Sequence, residues 1–441
     1  ELGMSASQAA QGKSLQQEQP QGKLPEHGVE GQGAGAGIEN LGWRVTWAGV
    51  GINLALGVLY TWSVISKEVP AEWGWSEQDR SWPYAIACLV FALFMVPAGR
   101  LQDKLGPRLT ASIGGLLVGV GMILASQTHT ALGFMVGFGL LAGAGIGFGY
   151  ASATPPAVKW FPASRTGLIA GLVVSGFGLA SVWAAPTTKA LIKAFGIPAT
   201  MLTLGIAFLI VVVGLAQLLV PPPKGYVPAG TGSGSRAAKK QDDVAPLQML
   251  TGWQFYLLWF MYFCGAGAGL MVIAKLAPLA KTQAGQDLGF MLVAALAVGN
   301  GGGRILAGML SDKIGRQQTM FACFVFQAVL MMLLTRAQAG TALGSVGSMA
   351  LISALIGANY GANLSLFPSI TKDYYGLKNF GVNYGLVFTA WGAGGFVLAL
   401  LAGRLYDMHQ SYVYSCYTAA GLLILAAGAS FVLRPPHSKA A

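Results

Sequence analysis

Twelve apolar runs, each of roughly 20–28 residues, follow one another from Trp43 almost to the end of the chain. They lie at about 43–67, 80–102, 108–127, 131–158, 165–189, 197–220, 252–280, 287–311, 317–337, 343–371, 379–405 and 412–434. A helix of that length crosses a hydrocarbon core of about 30 Å. The fold class expected is therefore an all-α membrane protein with twelve transmembrane helices.

Charge is scarce enough to agree. Asp, Glu, Lys and Arg make up only 10% of the residues, against about 25% in soluble domains. A surface so poor in charge cannot be presented to water, which excludes a soluble enzyme, a nucleic-acid-binding domain and a disordered chain. The formal charge of +11 does not reverse this. Nucleic-acid binding needs a clustered basic face, whereas here Lys and Arg stand singly between apolar runs, as in membrane loops. Lipid is the expected partner, and nucleic acid is not. Cys88, Cys264, Cys323 and Cys416 are far apart inside apolar runs, so neither a disulfide framework nor a metal site is expected.

Residues 1–40 are rich in Gly, Gln and Glu without an apolar period and read as a disordered tail, with no cleavable signal before Trp43. Residues 221–250 contain Gly-Ser-Gly-Ser and Lys239-Lys240-Gln241-Asp242-Asp243 and read as a flexible linker. The linker divides the spans six and six, giving bundles at 41–220 and 251–434 and a short tail at 435–441. Placing the N-terminus inside puts 18 of the 27 Lys and Arg on the cytoplasmic face and eight opposite, with Arg304 left over. The basic bias thus sets both termini and the linker in the cytoplasm of a cell whose inner membrane the chain crosses.

An internal repeat supports the same division. Ala98-Gly99-Arg100-Leu101-Gln102-Asp103-Lys104-Leu105-Gly106 follows the second run, and Ala307-Gly308-Met309-Leu310-Ser311-Asp312-Lys313-Ile314-Gly315 follows the eighth, 209 residues later. Two copies in matching places imply parallel duplicated halves. Asp103 and Asp312 read as conformational latches that cap a helix and pair with an Arg, Arg108 and Arg316 being the nearest. Gly143 to Gly149 superficially suggests a nucleotide loop, but it lies inside an apolar run without a preceding strand or a Lys. Its overlapping GxxxG spacings fit close helix approach instead. Trp73, Trp75 and Trp82 fall in the first outer loop and read as membrane-interface anchors.

The repeated motif resembles the signature of the major facilitator superfamily. A narrower likeness lies in Lys159-Trp160-Phe161-Pro162-Ala163-Ser164-Arg165-Thr166-Gly167-Leu168-Ile169-Ala170-Gly171, which is similar to a run shared by monocarboxylate transporters and oxalate–formate exchangers. Leu366-Phe367-Pro368 and Asn383-Tyr384-Gly385-Leu386-Val387-Phe388-Thr389-Ala390 resemble the exchanger branch. The resemblance implies two six-helix bundles around one central site and a bacterial monocarboxylate carrier, with carboxylate exchange as the alternative.

The residue that carries the chemistry is the unassigned base. Arg304 sits eight residues before Asp312, roughly 12 Å into the membrane. An Arg there costs at least about 2.5–3.5 kcal/mol and marks a functional site by default. Every Asp and Glu can be placed in a tail, loop or helix end, so the natural counter-ion is an anionic substrate. A guanidinium matches a carboxylate with two parallel donors. The position matching Arg304 in the first half is Met95.

By the resemblance, an Arg in the eighth span holds the substrate carboxylate. Exchangers carry a second cation in the eleventh span, where this chain has Thr389-Ala390-Trp391-Gly392. One cation beside an indole would leave a dicarboxylate with an unpaired buried charge, so a monocarboxylate such as lactate or pyruvate is the expected substrate. Asn300, one helical turn before Arg304, stands where many relatives have a proton-carrying Asp, and Tyr60 where animal relatives have a Lys. The coupling ion expected is still a proton, carried on or beside the substrate. Tyr150, Asn359, Tyr360, Asn363, Tyr384 and Phe388 complete the candidate pocket, each with interhelical packing as its alternative role. No cofactor and no obligatory protein partner is expected.

Overall fold

The computed structural model describes residues 39–75, 77–228, 243–285 and 289–436. The expected tail at 1–40, apart from its last two residues, lies outside them, as do the middle of the linker and residues 437–441. All regular secondary structure among the described residues is helical. That is the solution lipid demands, because a helix satisfies its own backbone N–H and C=O groups.

Among the described residues, twelve long helices cross the molecule. In the first half they are α1 (Gly42–Ser66), α2 (Glu77–Leu105), α3 (Pro107–Ser126), α4 (Ala131–Lys159), α5 (166–195) and α6 (197–216). In the second half they are α7 (Trp253–Ala284), α8 (Gly289–Ile314), α9 (Arg316–Thr335), α10 (Val346–Tyr375), α11 (Phe380–His409) and α12 (Val413–Val432). The twelve expected runs therefore each find a helix. The α5–α6 junction is tighter than the sequence suggests. Helix continues up to a single residue, Gly196, whose φ of 78° turns the chain without the cost a side chain would meet there. Pro198 then occupies the first turn of α6, where its missing N–H breaks no bond.

Exposed apolar side chains such as Ile210, Leu306 and Phe431 cover the outside, as a lipid-facing surface requires. The expected interface anchors need correction. Only Trp82 is exposed; Trp75 is buried, its Nε1 donating to the His129 carbonyl at 2.8 Å, and Trp73 stacks on His129 at 4.8 Å. Their rings pack on Phe134 and close a folded loop instead of reaching into lipid.

Two crossings make most of the junction between the halves: α2 against α11 and α8 against α5, with α10 meeting α5 more lightly. Both crossings are as close as backbone allows. A Cβ at Gly99 would strike the Gly381 carbonyl, and one at Gly308 the Gly167 carbonyl. The glycines of α4 serve the same purpose within one half, Gly143 lying against Ala87 of α2 and Gly145 against the Gly114 carbonyl of α3. Small residues are what let membrane helices come this near.

Candidate substrate site and gate

Arg304 is fully buried on the face of α8 that meets α5. Its Nε donates to Asn300 Oδ1 at 3.0 Å, the bond that one helical turn of spacing makes available. Its Nη1 donates to the Val174 carbonyl of α5. The guanidinium carbon lies 6.0 Å from the centroid of the Phe177 ring. Gly178 makes room for this arrangement, since a Cβ there would come within 3.1 Å of both Arg304 Nε and Asn300 Cγ. Nη2 is buried with no hydrogen-bond partner, and no carboxylate pairs with Arg304 among the described residues. A buried cation that meets a carbonyl, an amide, an aromatic ring and the Tyr60 hydroxyl, but no carboxylate among the described residues, retains an unmet demand for negative charge.

Aromatic rings wall the same region. Trp391 Nε1 of α11 donates to Tyr360 Oη of α10 at 2.9 Å, and Tyr360 Oη lies 3.2 Å from Tyr60 Oη of α1, so one hydrogen-bonded chain ties the halves together. Phe388 stacks on Trp391 with centroids 5.1 Å apart. Tyr150 of α4 packs on Phe388 and Phe177, and its hydroxyl is buried beside that of Tyr384. Tyr384 sits edge-on to Phe388, with its hydroxyl 3.5 Å from that of Tyr262. The structure thus gathers Arg304, Asn300, Tyr60, Tyr360, Trp391, Phe388, Tyr150 and Tyr384 into one cluster.

Asn359 and Asn363 do not join it. Their amides donate to the Leu355 and Asn359 carbonyls of their own helix, and Asn363 is turned towards Gly265 of α7 and Phe324 of α9. Two phenylalanines also belong to the cluster. Phe177 lies beneath the guanidinium, and Phe91 of α2 touches Phe177, Tyr150, Phe388 and Trp391. A phenylalanine in an apolar run carries no local mark, although the 209-residue repeat places Phe91 opposite Asn300.

The face carrying the linker and the two repeated motifs is bolted shut. Asp103 accepts the N–H groups of Gly381 and Val382 at the start of α11, both at 3.0 Å. Asp312 accepts those of Gly167 and Leu168 at the start of α5, again at 3.0 Å. Each carboxylate meets the positive end of a helix in the opposite half. Arg316 donates to Asp312 at 2.6 Å and to Asp373 at 2.8 Å, and the buried Lys372 reaches Thr166 across the halves. Arg108 departs from the expected pairing: it is exposed and makes no ion pair with Asp103 among the described residues. Pro107 intervenes after Gly106, so Arg108 falls one residue later than Arg316 does after Gly315.

With this architecture in place, the likeness to known proteins is decisive. Residues 48–339 and 258–441 match the Major Facilitator Superfamily. The chain belongs to that superfamily. It is 29% identical over 346 residues to the oxalate:formate antiporter of Oxalobacter formigenes, covering 76% of this chain and 77% of that protein. It is 28% identical to an uncharacterized MFS-type transporter, YhjX, of Escherichia coli strain K12, over 78% and 83% of the two chains. Human monocarboxylate transporter 11 is also 28% identical, over 66% of this chain and 60% of its own. Among solved structures, FucP in its outward conformation superposes with a TM-score of 0.67 at 15% identity, over 88% of this chain and 98% of that one. The human organic anion transporter MFSD10 gives 0.68 at 14%, over 88% and 99%. The protein is a multi-pass membrane transporter of this superfamily and not an enzyme.

Proposed function

We propose that this transporter carries a small monocarboxylate of the lactate or pyruvate type together with a proton, by alternating access through the cell's inner membrane, with both termini in the cytoplasm. The observation that supports it is Arg304: fully buried, without a carboxylate partner among the described residues, and with Nη2 unpaired. A carboxylate placed there neutralises the guanidinium through two parallel donors. Closing the halves over the neutral pair is then easier than closing them on a bare cation, which couples movement to occupancy. Among the described residues the aromatic wall encloses one cation for one anionic group, favouring a monocarboxylate over a dianion.

In this reading Asp103 and Asp312 hold the cytoplasmic face closed. Each accepts two charge-assisted bonds worth about 1.5–3 kcal/mol apiece, and all four break when that face opens. Because Arg304 has an amide beside it and no titrating acid among the described residues, the proton travels on or beside the substrate. The same absence, with the similarity to an oxalate:formate antiporter, favours carboxylate exchange as the second reading.

The test is uptake of labelled L-lactate by the protein reconstituted in liposomes. Arg304→Ala is expected to lose at least about a hundredfold in uptake, the scale of removing a buried charge's partner, and Arg304→Lys is expected to restore little of it. Wild-type rates in Arg304→Ala would sink the proposal. Uptake that rises with an inward proton gradient supports symport; uptake indifferent to the gradient but driven by preloaded carboxylate supports exchange.

A further inference from the structure

The two crossings that join the halves share a plan and differ in chemistry. On α8, Asn300 and Arg304 face Val174, Phe177 and Gly178 of α5. The positions 209 residues earlier on α2 are Phe91 and Met95, and those 214 residues beyond the α5 set are Phe388, Trp391 and Gly392 of α11. Contacts bear out this correspondence. A Cβ at Gly171 would meet the Arg304 carbonyl, and one at Gly385 would meet the Met95 carbonyl. Phe91 packs against Phe388 at 5.1 Å and Trp391 at 5.3 Å, the residues that match Val174 and Phe177 of the other crossing, whose own neighbour is Arg304, one turn beyond the counterpart of Phe91.

One centre therefore has a polar side on α8 and an apolar side on α2. Between them stands Phe177, within 6.0 Å of the guanidinium carbon and 5.8 Å from Phe91. Trp391 is tethered to Tyr360 and Tyr360 to Tyr60. Phe91 has no such tether, since its side chain carries no donor or acceptor: it is 1% exposed and packed among four neighbouring rings. Shortening it opens space beside Phe177, the ring that also lies against the guanidinium, without cutting a hydrogen bond.

We infer that the substrate lies across the junction of the halves, its carboxylate on Arg304 and its hydrocarbon end against Phe91, and that Phe91 sets the chain length the site accepts. The inference rests on the transport reading above and adds the substrate's orientation and its size limit.

Counterflow of labelled L-lactate in liposomes, with unlabelled straight-chain acids from acetate to hexanoate as competitors, tests it. The wild type is expected to be inhibited best by the shortest acids. In Phe91→Ala the hexanoate-to-acetate inhibition ratio is expected to rise at least about tenfold, the scale on which pockets discriminate a methylene. Phe91→Leu is expected to move the ratio the same way by less, and Phe91→Trp to lower it, so loss of one variant leaves two others to decide. Phe324→Leu, on the distant α9 and equally buried, is expected to leave the ratio unchanged. An unchanged order of acids in every active Phe91 variant overturns the inference alone, as does an equal shift in Phe324→Leu. A wild type that moves none of these acids overturns the transport reading and the inference together.

Discussion

The α8–α5 and α2–α11 crossings are one structure built twice. Each pairs glycines at the closed face, each places an Asp of one half on a helix N-terminus of the other, and each carries two inward residues a turn apart. In one crossing the inward pair is Asn300 and Arg304; in the other it is Phe91 and Met95. Closure depends on shape and on helix-end electrostatics, which the two crossings share. Binding depends on charge, which only one has. The two crossings thus share their closing contacts and differ at two side-chain positions, where the proposed site has its one charge.

Making the apolar crossing resemble the polar one is the harshest test of this contrast. Met95→Arg puts a second cation where Met95 is wholly buried against α11. With no partner it is expected to cost about 3–5 kcal/mol, seen as a fall in folded yield and thermal stability in detergent. A well-folded Met95→Arg transporter would mean that the apolar side of the centre is wetter than its packing implies. A milder change weakens the polar crossing. Asn300→Ala removes the acceptor of Arg304 Nε, and leaving that buried donor unpaired is expected to cost about 1–3 kcal/mol, read as a roughly 5- to 150-fold loss in lactate kcat/KM. Least severe is Tyr60→Phe, which deletes the hydroxyl joining α1 to Tyr360 of the other half. A net loss of about 0.5–1.5 kcal/mol predicts a change of a few-fold in uptake. A loss as deep as that of Arg304→Ala would promote Tyr60 from tether to substrate contact.

Arg304 was legible in the sequence because charge inside an apolar run is costly wherever the run packs. The latches were legible for a related reason: Asp103 and Asp312 recur in one motif at one spacing. What escaped was whatever depends on the direction a side chain takes. Asn359 and Asn363 share the run with Tyr360, yet their amides satisfy the carbonyls of their own helix while Tyr360 points to the centre. Arg108 looked equivalent to Arg316 until the one-residue offset after Gly106 carried it to the surface. Trp75 had the composition of an interface anchor and the neighbours of a core residue.

The sequence by itself determined the medium, the number of helices, the duplication and the one charge that must be compensated. Each follows from a free energy of transfer into lipid that is large, local and independent of neighbours. Only the tertiary structure decided which rings surround that charge, which amides turn away from it, and that Phe91 joins those rings through Phe177. Those outcomes rest on the direction each side chain takes and on contacts between different helices, each worth little alone, many of which exist only where the two bundles meet.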